Sequence, residues 1–379
     1  MGSRTAPASR PSWRERWLSA RDRLLASPRF QHWAAAFPLT RPIAHRRARA
    51  LFDLCAGFVY AQVLLACVQL RLFEILAEGP QTGPILAGRL GLSPEAAQRL
   101  LLAAVSLELV EHRGQGRFGL GQLGAAFLGN PGIAAMVEHH TLLYGDLHDP
   151  VALLRGERAG TDLGRYWAYA SSGRPAALAS EQVAAYSTLM SASQPLVAGD
   201  ILDAYPLDRH RCLLDVGGGE GAFLAAAAAR APELRLMLFD LPPVVERAQA
   251  RLSAAGLAGR TAVFGGDFSA DPLPQGADVV SLVRVAHDHD DRVVLALLQA
   301  ARRALPDDGV LLLAEPMSGT AGALPIGDAY FGFYLLAMGS GRPRTADELR
   351  SMLGTAGFSR VQLVPTRRPL LTRLLVARP

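Results

Sequence analysis

The sequence predicts an α/β protein in which a mostly parallel sheet with a final antiparallel hairpin follows a smaller helical domain. Five short apolar runs between residues 213 and 315 alternate with longer helical segments, as parallel strands and their crossover helices do. Residues 72–128 show three helical segments and a short hairpin pattern. With 379 residues, half of them apolar, the chain is long enough to form two domains.

The stretch 213–223, LLDVGGGEGAF, is the strongest local pattern in the chain. An apolar run ends in three consecutive glycines and an alanine-rich segment follows, which is typical of a strand, a tight turn and a helix. A Cβ at Gly217 or Gly219 would occupy the space where a nucleoside-sized ligand approaches the backbone. A glycine turn that only packs a strand on a helix has the same pattern, so other residues must indicate the ligand.

Two classes of ligand fit such a turn. Gly217, Gly219 and Ala222 satisfy the G-x-G-x-x-G/A pattern of dinucleotide sites. Asp215, however, stands two residues before the first of these glycines, where its carboxylate would repel a pyrophosphate and attract an ammonium or a sulfonium group. S-adenosyl-L-methionine carries both cations and no phosphate, so we expect it to be the ligand.

Acidic residues at the ends of the next two strands extend this predicted ligand site. Asp240 lies at the end of RLMLFDL, 23 residues after Gly217, and is placed to accept hydrogen bonds from both ribose hydroxyls. Asp267 and Phe268 end the following run and are suited to hold the adenine amino group and ring. Strand ends in an open parallel sheet converge on one crevice, so these residues should be neighbours. Further candidates for cofactor binding are Leu241 and Arg284.

This set of residues resembles the cofactor half of the S-adenosylmethionine-dependent O-methyltransferases of small molecules, a family that includes plant phenolic and bacterial polyketide enzymes. The resemblance implies a class I methyltransferase sheet of Rossmann-like type and an N-terminal winged-helix-like domain that mediates homodimer formation. We therefore expect four parts, which are a basic arm (1–48), the dimerisation domain (49–130), a helical connection lining the substrate pocket (131–205) and the catalytic domain (206–379).

The resemblance also implies the reacting residues. His287 and Asp288 follow the run ADVVSLVRV, where the family carries a His-Asp pair whose histidine takes the proton of the acceptor hydroxyl. Histidine suits this task because its ordinary pKa lies near neutrality. Glu315, at the end of GVLLLAE, matches the carboxylate that orients this histidine. Tyr186 and Met190 in YSTLM match an aromatic residue and a methionine that line the reaction pocket, although core packing alone would also explain the methionine.

Two departures from the family pattern concern the acceptor. The aromatic residue expected after His-Asp is His289, and a second glutamate expected in RTADELRSMLGTAGF is Ala346. The His–Glu pair is therefore better supported than a full triad.

The H-x-H-x-D pattern beginning at His287 also occurs in binuclear zinc hydrolases, but Arg292 stands where that motif continues with His and no ligand cluster follows, so we expect no metal.

The segment FPLTRPIAHRRARALFDLCAGFVYAQVLLACVQLRLFEIL and its Arg-rich lead-in resemble, within the family, the bacterial carotenoid 1-hydroxy O-methyltransferases. This resemblance implies a small apolar hydroxylated acceptor, and a soluble phenol such as an aromatic polyketide is the alternative.

In the helical connection, His139, His140, His148 and Asp149 are candidates to face the substrate, although loop positions of this kind are more often only polar surface.

The N-terminal arm is strongly basic. Residues 1–50 contain eleven Arg against two acidic residues, which gives a net charge of +9 there and −4 in the rest of the chain. Trp13, Trp17, Leu18, Leu24 and Leu25 are spaced among arginines, which predicts a helix that can lie on an anionic membrane. A solvated extension or a clasp on a partner subunit would have the same composition. Because the arm lacks the apolar segment of a secretory signal, we expect a cytoplasmic protein, with peripheral contact to the inner membrane as a hypothesis.

Residues 54–70 form an uncharged run of 17 residues, shorter than the roughly 20 that a membrane span needs. We expect a buried helix that a second copy of the chain covers.

The helices and hairpin of 72–128 also have the order of a winged helix, so a DNA-binding regulator is an alternative. The helix that begins after Ser93 offers phosphates only Arg99, offset by Glu95, so nucleic acid is not an expected partner.

Overall fold

The computed structural model describes residues 12–379, except residues 159, 173 and 174, so the first eleven residues of the predicted basic arm lie outside the described residues. The N-terminal half contains α1 (Trp13–Ala26), α2 (Pro28–Ala36), α3 (Arg41–Gln69), α4 (Leu72–Ala77), β1 (Gln81–Thr82), α5 (Gly83–Leu90), α6 (Pro94–Ser106), β2 (Val110–His112), β3 (Arg117–Leu120), α7 (Gln122–Leu128), α8 (Pro131–Asp146), α9 (Pro150–Leu154), α10 (Asp162–Tyr166), α11 (Ala168–Ser171) and α12 (Ser180–Ala204).

The C-terminal half contains the large sheet. Its elements are β4 (Cys212–Val216), α13 (Ala222–Arg230), β5 (Arg235–Asp240), α14 (Pro242–Ala254), β6 (Thr261–Gly265), β7 (Val279–Val283), α15 (Asp291–Ala304), β8 (Val310–Glu315), α16 (Phe331–Met338), α17 (Ala346–Thr355), β9 (Arg360–Val364) and β10 (Arg373–Arg378). Short 3₁₀ turns lie at Pro175–Ala177, Ala258–Arg260 and Ala286–Asp288, and a π-helical segment spans Pro325–Tyr330.

The seven-stranded sheet has the order β6-β5-β4-β7-β8-β10-β9, with β10 antiparallel to both of its neighbours and the other pairs parallel. This order confirms the predicted fold class. The central strands β4, β7 and β8 are buried at every residue, because helices cover both faces of the sheet. Strands buried on both faces are mostly apolar, which is why the sequence showed apolar runs here, and the polar exceptions are Asp215, Ser281 and Glu315. The parallel strands end at the edge where the predicted cofactor residues lie.

The N-terminal domain has a core of its own, centred on Phe73, Leu86 and Leu101, which are fully buried. Its three helices α4, α5 and α6 are followed by a β2–β3 hairpin, and β1 joins the hairpin in the sheet order β1-β3-β2. This is the helix and hairpin order that the sequence predicts. The predicted cap of α6 is present, since the Ser93 hydroxyl accepts a hydrogen bond of 3.2 Å from the Ala96 amide.

The long helix α3 differs from its prediction. It continues from Arg41 through the predicted boundary at residues 48–49, and within one chain only Leu65, Cys67 and Val68 of it are buried. Leu54 and Phe58 are 82% and 66% exposed in one chain, so the first half of the run depends on the cover by a second copy that the sequence analysis predicts, and that cover stays a prediction. Within the part of the chain that the structure describes, α3 is the one helix long and apolar enough to cross a membrane, a property that rests on length and composition only.

The arm forms two helices ahead of α3. At the start of α1, Ser12 and Glu15 form a capping box, because the hydroxyl of Ser12 accepts from the Glu15 amide and the Glu15 carboxylate accepts from the Ser12 amide. α1 coincides with the helix that the spacing of tryptophans and arginines predicts. Trp13 and Trp17 are exposed, and α1 contributes no buried residue to the molecule.

The helical connection joins the two domains through α12. This helix packs against α8 on one side and against α13 and α14 of the catalytic half on the other. It is continuous although Pro195 lies inside it. α12 thereby carries Tyr186 and Met190 across the carboxyl ends of the parallel strands.

Candidate active site

A cavity of about 370 Å³ lies at the carboxyl ends of β4, β5 and β7, beneath α12. Its size is within the range of roughly 300–1,000 Å³ of small-molecule sites. Most of the predicted site residues line it, namely Asp215, Gly217, Gly219, Asp240, Leu241, Asp267, Phe268, Arg284, Asp288, Tyr186 and Met190. His287 and Glu315 are buried behind this lining. Sequence reasoning therefore identified one connected site from residues that are more than a hundred positions apart.

The glycine turn after β4 forms the floor of the cavity. Gly217 and Gly219 adopt the left-handed conformation, with φ of +66° and +58°. A Cβ at Gly217 would lie 2.8 Å from the side chain of Val285, so packing gives a second reason for glycine there, and the room for a ligand stays a prediction. At Gly219 an added Cβ would meet no protein atom within 4 Å, as expected for backbone that faces a ligand space.

Asp240 is held in place by the turn. Its Oδ2 accepts a hydrogen bond of 2.7 Å from the Gly219 amide, and its Oδ1 accepts one of 2.7 Å from the Leu241 amide. Burial raises the pKa of Asp240 to about 6, although these two hydrogen bonds oppose the change. Each oxygen keeps a second lone pair for a ligand hydroxyl, which suits the predicted contact with a ribose.

Asp215 lies at the end of β4 and is almost completely buried. Its Oδ1 accepts a hydrogen bond of 2.6 Å from the Ser281 hydroxyl, whereas its Oδ2 is buried without a hydrogen-bond partner. Burial raises the pKa of this carboxyl to about 7. A buried acceptor without a donor is costly unless a ligand supplies one, and a cationic ligand would do so. The observed site therefore fits S-adenosylmethionine better than a pyrophosphate.

The far wall of the cavity follows β6. Asp267 and Phe268 both line it, and the Asp267 carboxylate accepts a hydrogen bond of 2.8 Å from the Ser269 amide, which fixes its orientation. Phe268 contacts His289 edge to face, with ring centroids 5.1 Å apart. His289 thus occupies the aromatic position of the family pattern and packs as an aromatic ring does. Burial lowers the pKa of His289, which favours its neutral form.

Arg284 lies between the cavity and α12. It has left-handed backbone, with φ of +57°. Its guanidinium donates to the Ser193 hydroxyl at 2.9 Å, to the Met190 carbonyl at 3.3 Å and to the side chain of Gln194. Burial lowers the pKa of Arg284 to about 10, so it remains charged near neutrality. Most of its donors are used to fasten α12 over the cavity, a role that the sequence did not indicate.

The predicted base is paired with the predicted carboxylate. His287 Nδ1 lies 2.5 Å from Glu315 Oε2, and Glu315 Oε1 accepts from the Val285 and Ala286 amides at 3.0 and 2.7 Å. Burial by itself would lower the pKa of His287, but the charges of Asp288 and Glu315 outweigh it and the pKa lies above its ordinary value. Glu315 thus fixes both the ring and the loop that carries it.

Asp288 stands between His287 and the cavity. Its Oδ1 is 3.1 Å from His287 Nε2, and its Oδ2 accepts a hydrogen bond of 2.7 Å from the Tyr169 hydroxyl. Both ring nitrogens of His287 therefore face carboxylates. Ala346, in place of a second family glutamate, begins α17. The loop that carries His287 and Asp288 is held by buried Arg344, which donates to the carbonyls of Ala286 and His289.

Tyr186 and Met190 line the cavity from α12, as the resemblance implies. Beside them lie Trp167 and Tyr169, whose rings contact Tyr186 with centroids 5.4 and 5.3 Å apart. The sequence analysis did not identify these two aromatic residues. A W-x-Y pattern in the helical connection was the available signal, but nothing local connects it with a site 120 residues away.

The four polar candidates of the connection lie elsewhere. His139 Nε2 is 2.7 Å from the Tyr334 hydroxyl, and His140 Nε2 is 2.7 Å from the Tyr330 hydroxyl, so both belong to a cluster beside the cavity. His148 and Asp149 are exposed, and Asp149 caps α9. These four residues do not line the cavity, so nothing here supports the suggestion that they face the substrate, and it stays a prediction. Among the described residues, no three His, Cys, Asp or Glu side chains are grouped as a metal site requires.

The fold and this site define the class of protein. A parallel sheet with a glycine turn, a ribose-type carboxylate at the end of the second strand and a buried His–carboxylate pair at the end of the fourth is the arrangement of a class I methyltransferase.

Comparison with known proteins gives the family. Residues 144–359 match the O-methyltransferase domain and residues 52–130 match the O-methyltransferase dimerisation domain. Demethylspheroidene O-methyltransferase of Cereibacter sphaeroides is 49% identical over 94% of this chain and 93% of its own, and that of Rhodobacter capsulatus is 42% identical over 94% and 88%. The crystal structure of human N-acetylserotonin methyltransferase in complex with S-adenosylmethionine superimposes with a TM-score of 0.73, at 25% identity, over 88% of this chain and 97% of that one.

The chain belongs to the S-adenosylmethionine-dependent O-methyltransferase family. Membership of this family leaves no support for a dinucleotide as the ligand of the glycine turn, or for a DNA-binding regulator. It also supports a homodimer, since the N-terminal domain matches the family's dimerisation domain.

Proposed function

We propose that this enzyme methylates a hydroxyl group at the end of a hydroxylated carotenoid of the demethylspheroidene type. The observation that carries the proposal is the 49% identity to a demethylspheroidene O-methyltransferase over 94% of the chain. That coverage includes more than half of the segment that precedes the dimerisation domain at residue 52. The likeness is therefore not confined to the parts that all members of the family share.

The donor side of the cavity is proposed as follows. Asp240 accepts the ribose hydroxyls, Asp267 and Phe268 hold the adenine, and Asp215 faces the cationic part of the donor. Leu241, Gly217 and Gly219 complete the walls, and Arg284 keeps α12 over them. When bound, S-adenosylmethionine supplies an electrophilic methyl group on its sulfonium.

The acceptor side is proposed to remove one proton as the oxygen is methylated. The acceptor oxygen lies next to Asp288 between Tyr186 and Met190, and its proton passes to the pair formed by Asp288 and His287. Glu315 holds Nδ1 of His287 and Asp288 faces Nε2 at 3.1 Å, so the proton reaches His287 through the Asp288 carboxylate. Well-oriented groups reach effective molarities of roughly 10⁵ M or more, so orientation by these walls is the main contribution to rate.

A membrane contact is part of the proposal, because a carotenoid dissolves in lipid. α1 exposes Trp13 and Trp17 to 76% and 60%, and arginines surround them. Apolar insertion and about 1 kcal/mol per Arg near an anionic surface together favour the cytoplasmic face of the membrane. The cavity, at about 370 Å³, holds the reacting end of such an acceptor, and the remaining polyene stays outside.

The proposal is tested by assaying a detergent-solubilised hydroxycarotenoid and a water-soluble phenol as acceptors, and by sedimentation with anionic liposomes. In one variant, four exposed arginines of the arm become Gln (Arg14, Arg16, Arg23 and Arg29). In a matched control, four exposed arginines of the catalytic domain become Gln (Arg209, Arg292, Arg303 and Arg360). We expect the arm variant to methylate the solubilised carotenoid but to lose liposome binding, and the control to retain both.

Salt should reduce liposome binding by the wild type, because screening removes the contribution of the arginines. If the wild type ignores liposomes at low salt and methylates only phenols, the carotenoid acceptor and the membrane contact are both wrong. Equal loss of liposome binding in both variants would assign the contact to net charge and not to the arm.

A further inference from the structure

Tyr169 lies in the short helix α11 of the connection, 119 residues before Asp288, and the fold brings the two side chains together. Its ring contacts the rings of Trp167, Tyr186 and His289, with centroids 5.9, 5.3 and 5.9 Å apart. The ring is thus fixed on three sides, and its remaining side faces the cavity. A tyrosine fixed in this way can present its hydroxyl in one direction only.

That hydroxyl donates to Asp288 Oδ2 at 2.7 Å, which is a short hydrogen bond to a charged acceptor. Burial raises the pKa of Tyr169 well above its ordinary value, and the charge of Asp288 raises it further, so the hydroxyl remains protonated and can only donate to this carboxylate. The other oxygen of Asp288 is thereby left for His287 Nε2 at 3.1 Å. A continuous row of contacts runs from Tyr169 through Asp288 and His287 to Glu315.

We propose that Tyr169 is a positioning residue for the methyl transfer, whose hydroxyl holds the Asp288 carboxylate against Nε2 of His287. Asp288 lines the cavity and has open space before it, so without this hydrogen bond the carboxylate can turn away from the histidine. His287 would then lose the partner that orients Nε2. The inference rests on the proposed role of His287 as the base.

The variant Tyr169→Phe tests this role, because it keeps the ring contacts and removes only the hydroxyl. The matched control is Tyr166→Phe, three residues earlier. The Tyr166 ring packs against His139 at 4.5 Å and lies outside the cavity lining and away from Asp288. We expect Tyr169→Phe to lower kcat about tenfold, as the loss of a hydrogen bond to a charged group does, with the KM for S-adenosylmethionine unchanged. Tyr166→Phe should leave kcat unchanged.

A second measurement distinguishes two roles of Tyr169, which are positioning of Asp288 by the hydroxyl and packing of the cavity wall by the ring. The pKa of His287 is followed by NMR in isotopically labelled protein without any acceptor, with the signal assigned through His287→Gln. When Asp288 turns away, the attraction that raises the pKa of His287 weakens, so the pKa should fall in Tyr169→Phe, and the acidic limb of the kcat profile should move to lower pH with it. The other charged or titratable groups facing His287 are unchanged in this variant, namely Glu315, Arg284, His289 and Arg344.

An unchanged or raised pKa of His287, or an unchanged kcat in Tyr169→Phe, would overturn the proposal. The same drop in kcat in Tyr166→Phe would also overturn it, because the effect would then come from the aromatic cluster as a whole. Because the NMR titration needs no acceptor, it remains informative if the carotenoid proves to be the wrong acceptor. If His287→Ala retained full turnover while the titration behaved as expected, the role of the base would be wrong and the contact of Tyr169 with Asp288 would stand.

Discussion

The catalytic half and the N-terminal helices of this enzyme use apolar residues in opposite ways. In the catalytic half, β4, β7 and β8 are buried at every position and the helices that cover them belong to the same chain. In α1 and the first half of α3, large apolar side chains such as Trp13, Leu54 and Phe58 are exposed. Large exposed apolar surfaces mark sites of contact with other molecules.

The difference indicates a division of tasks. The sheet and the cavity contain the residues proposed for the chemistry and need no second molecule to form. The N-terminal helices leave apolar side chains uncovered in one chain, and they belong to the region that matches the family's dimerisation domain and to the basic arm before it. Changes in the first region should therefore alter turnover or donor binding, and changes in the second should alter assembly or location.

The largest effect is expected for assembly. Phe58→Glu places a charge on the exposed face of α3, and in a symmetric dimer the change occurs twice, each time with a loss of about 1.5–3 kcal/mol of apolar burial. The dimer dissociation constant should rise by about a thousandfold, because two such losses amount to about 3–6 kcal/mol, and analytical ultracentrifugation over a range of concentrations measures it. The control is Leu370→Glu, an exposed leucine of the catalytic half, which should leave the dimer intact. A dimer of unchanged affinity in Phe58→Glu would remove α3 from the interface.

A smaller effect, on turnover alone, is expected for the base. His287→Ala should lower kcat by about 10²-fold or more, as the loss of a general base does, while the dissociation constant of S-adenosylmethionine stays nearly constant. Glu315→Gln should show a smaller loss of the same kind, because it removes only the charge that orients the ring. Steady-state kinetics combined with calorimetry separates the two quantities. Full turnover in His287→Ala would transfer the role of base to Asp288 or His289.

The smallest effect is expected for donor binding. Asp240→Ala should weaken S-adenosylmethionine binding by about tenfold or more, because two charge-assisted hydrogen bonds to the ribose are lost. Isothermal titration calorimetry of the unmodified and altered proteins checks this value, with the dimer affinity measured in parallel as the control. Equal affinity in the two proteins would show that Asp240 only supports the glycine turn, through its hydrogen bond from Gly219.

The local sequence was sufficient to predict a feature wherever a single physical cause determines which type of residue stands at a position. The apolar runs predicted the central strands because burial on both faces leaves few positions for polar residues. Asp240 was proposed because the carboxyl ends of parallel strands share one edge, whereas Glu315 was proposed from the resemblance to the family. A second reason for glycine at position 217, the clash of a Cβ with Val285, could not be predicted from the local sequence because it depends on a loop almost 70 residues later.

Other features depend on more than the local sequence. α3 was expected to be covered by a second copy of the chain, but which of its residues stay exposed in one chain depends on where the other helices pack. The contact between Tyr169 and Asp288 joins two loops 119 residues apart, with no periodic pattern in either. The use of Arg284 to fasten α12 follows from a left-handed residue at the end of β7, which no propensity predicts.

The two buried carboxyls that are proposed to hold the donor would make donor binding a proton-coupled event. Burial raises the pKa of Asp215 to about 7 and that of Asp240 to about 6, above an ordinary value of about 3.9. A carboxyl whose pKa is raised by folding stabilises the fold below its ordinary pKa, and that stability is lost as the pH rises through the folded value, so the ligand-free enzyme loses stability between about pH 4 and pH 7. A cationic donor favours the ionised carboxyls and expels their protons. Acidification by one pH unit would therefore make the enzyme release its methyl donor more readily.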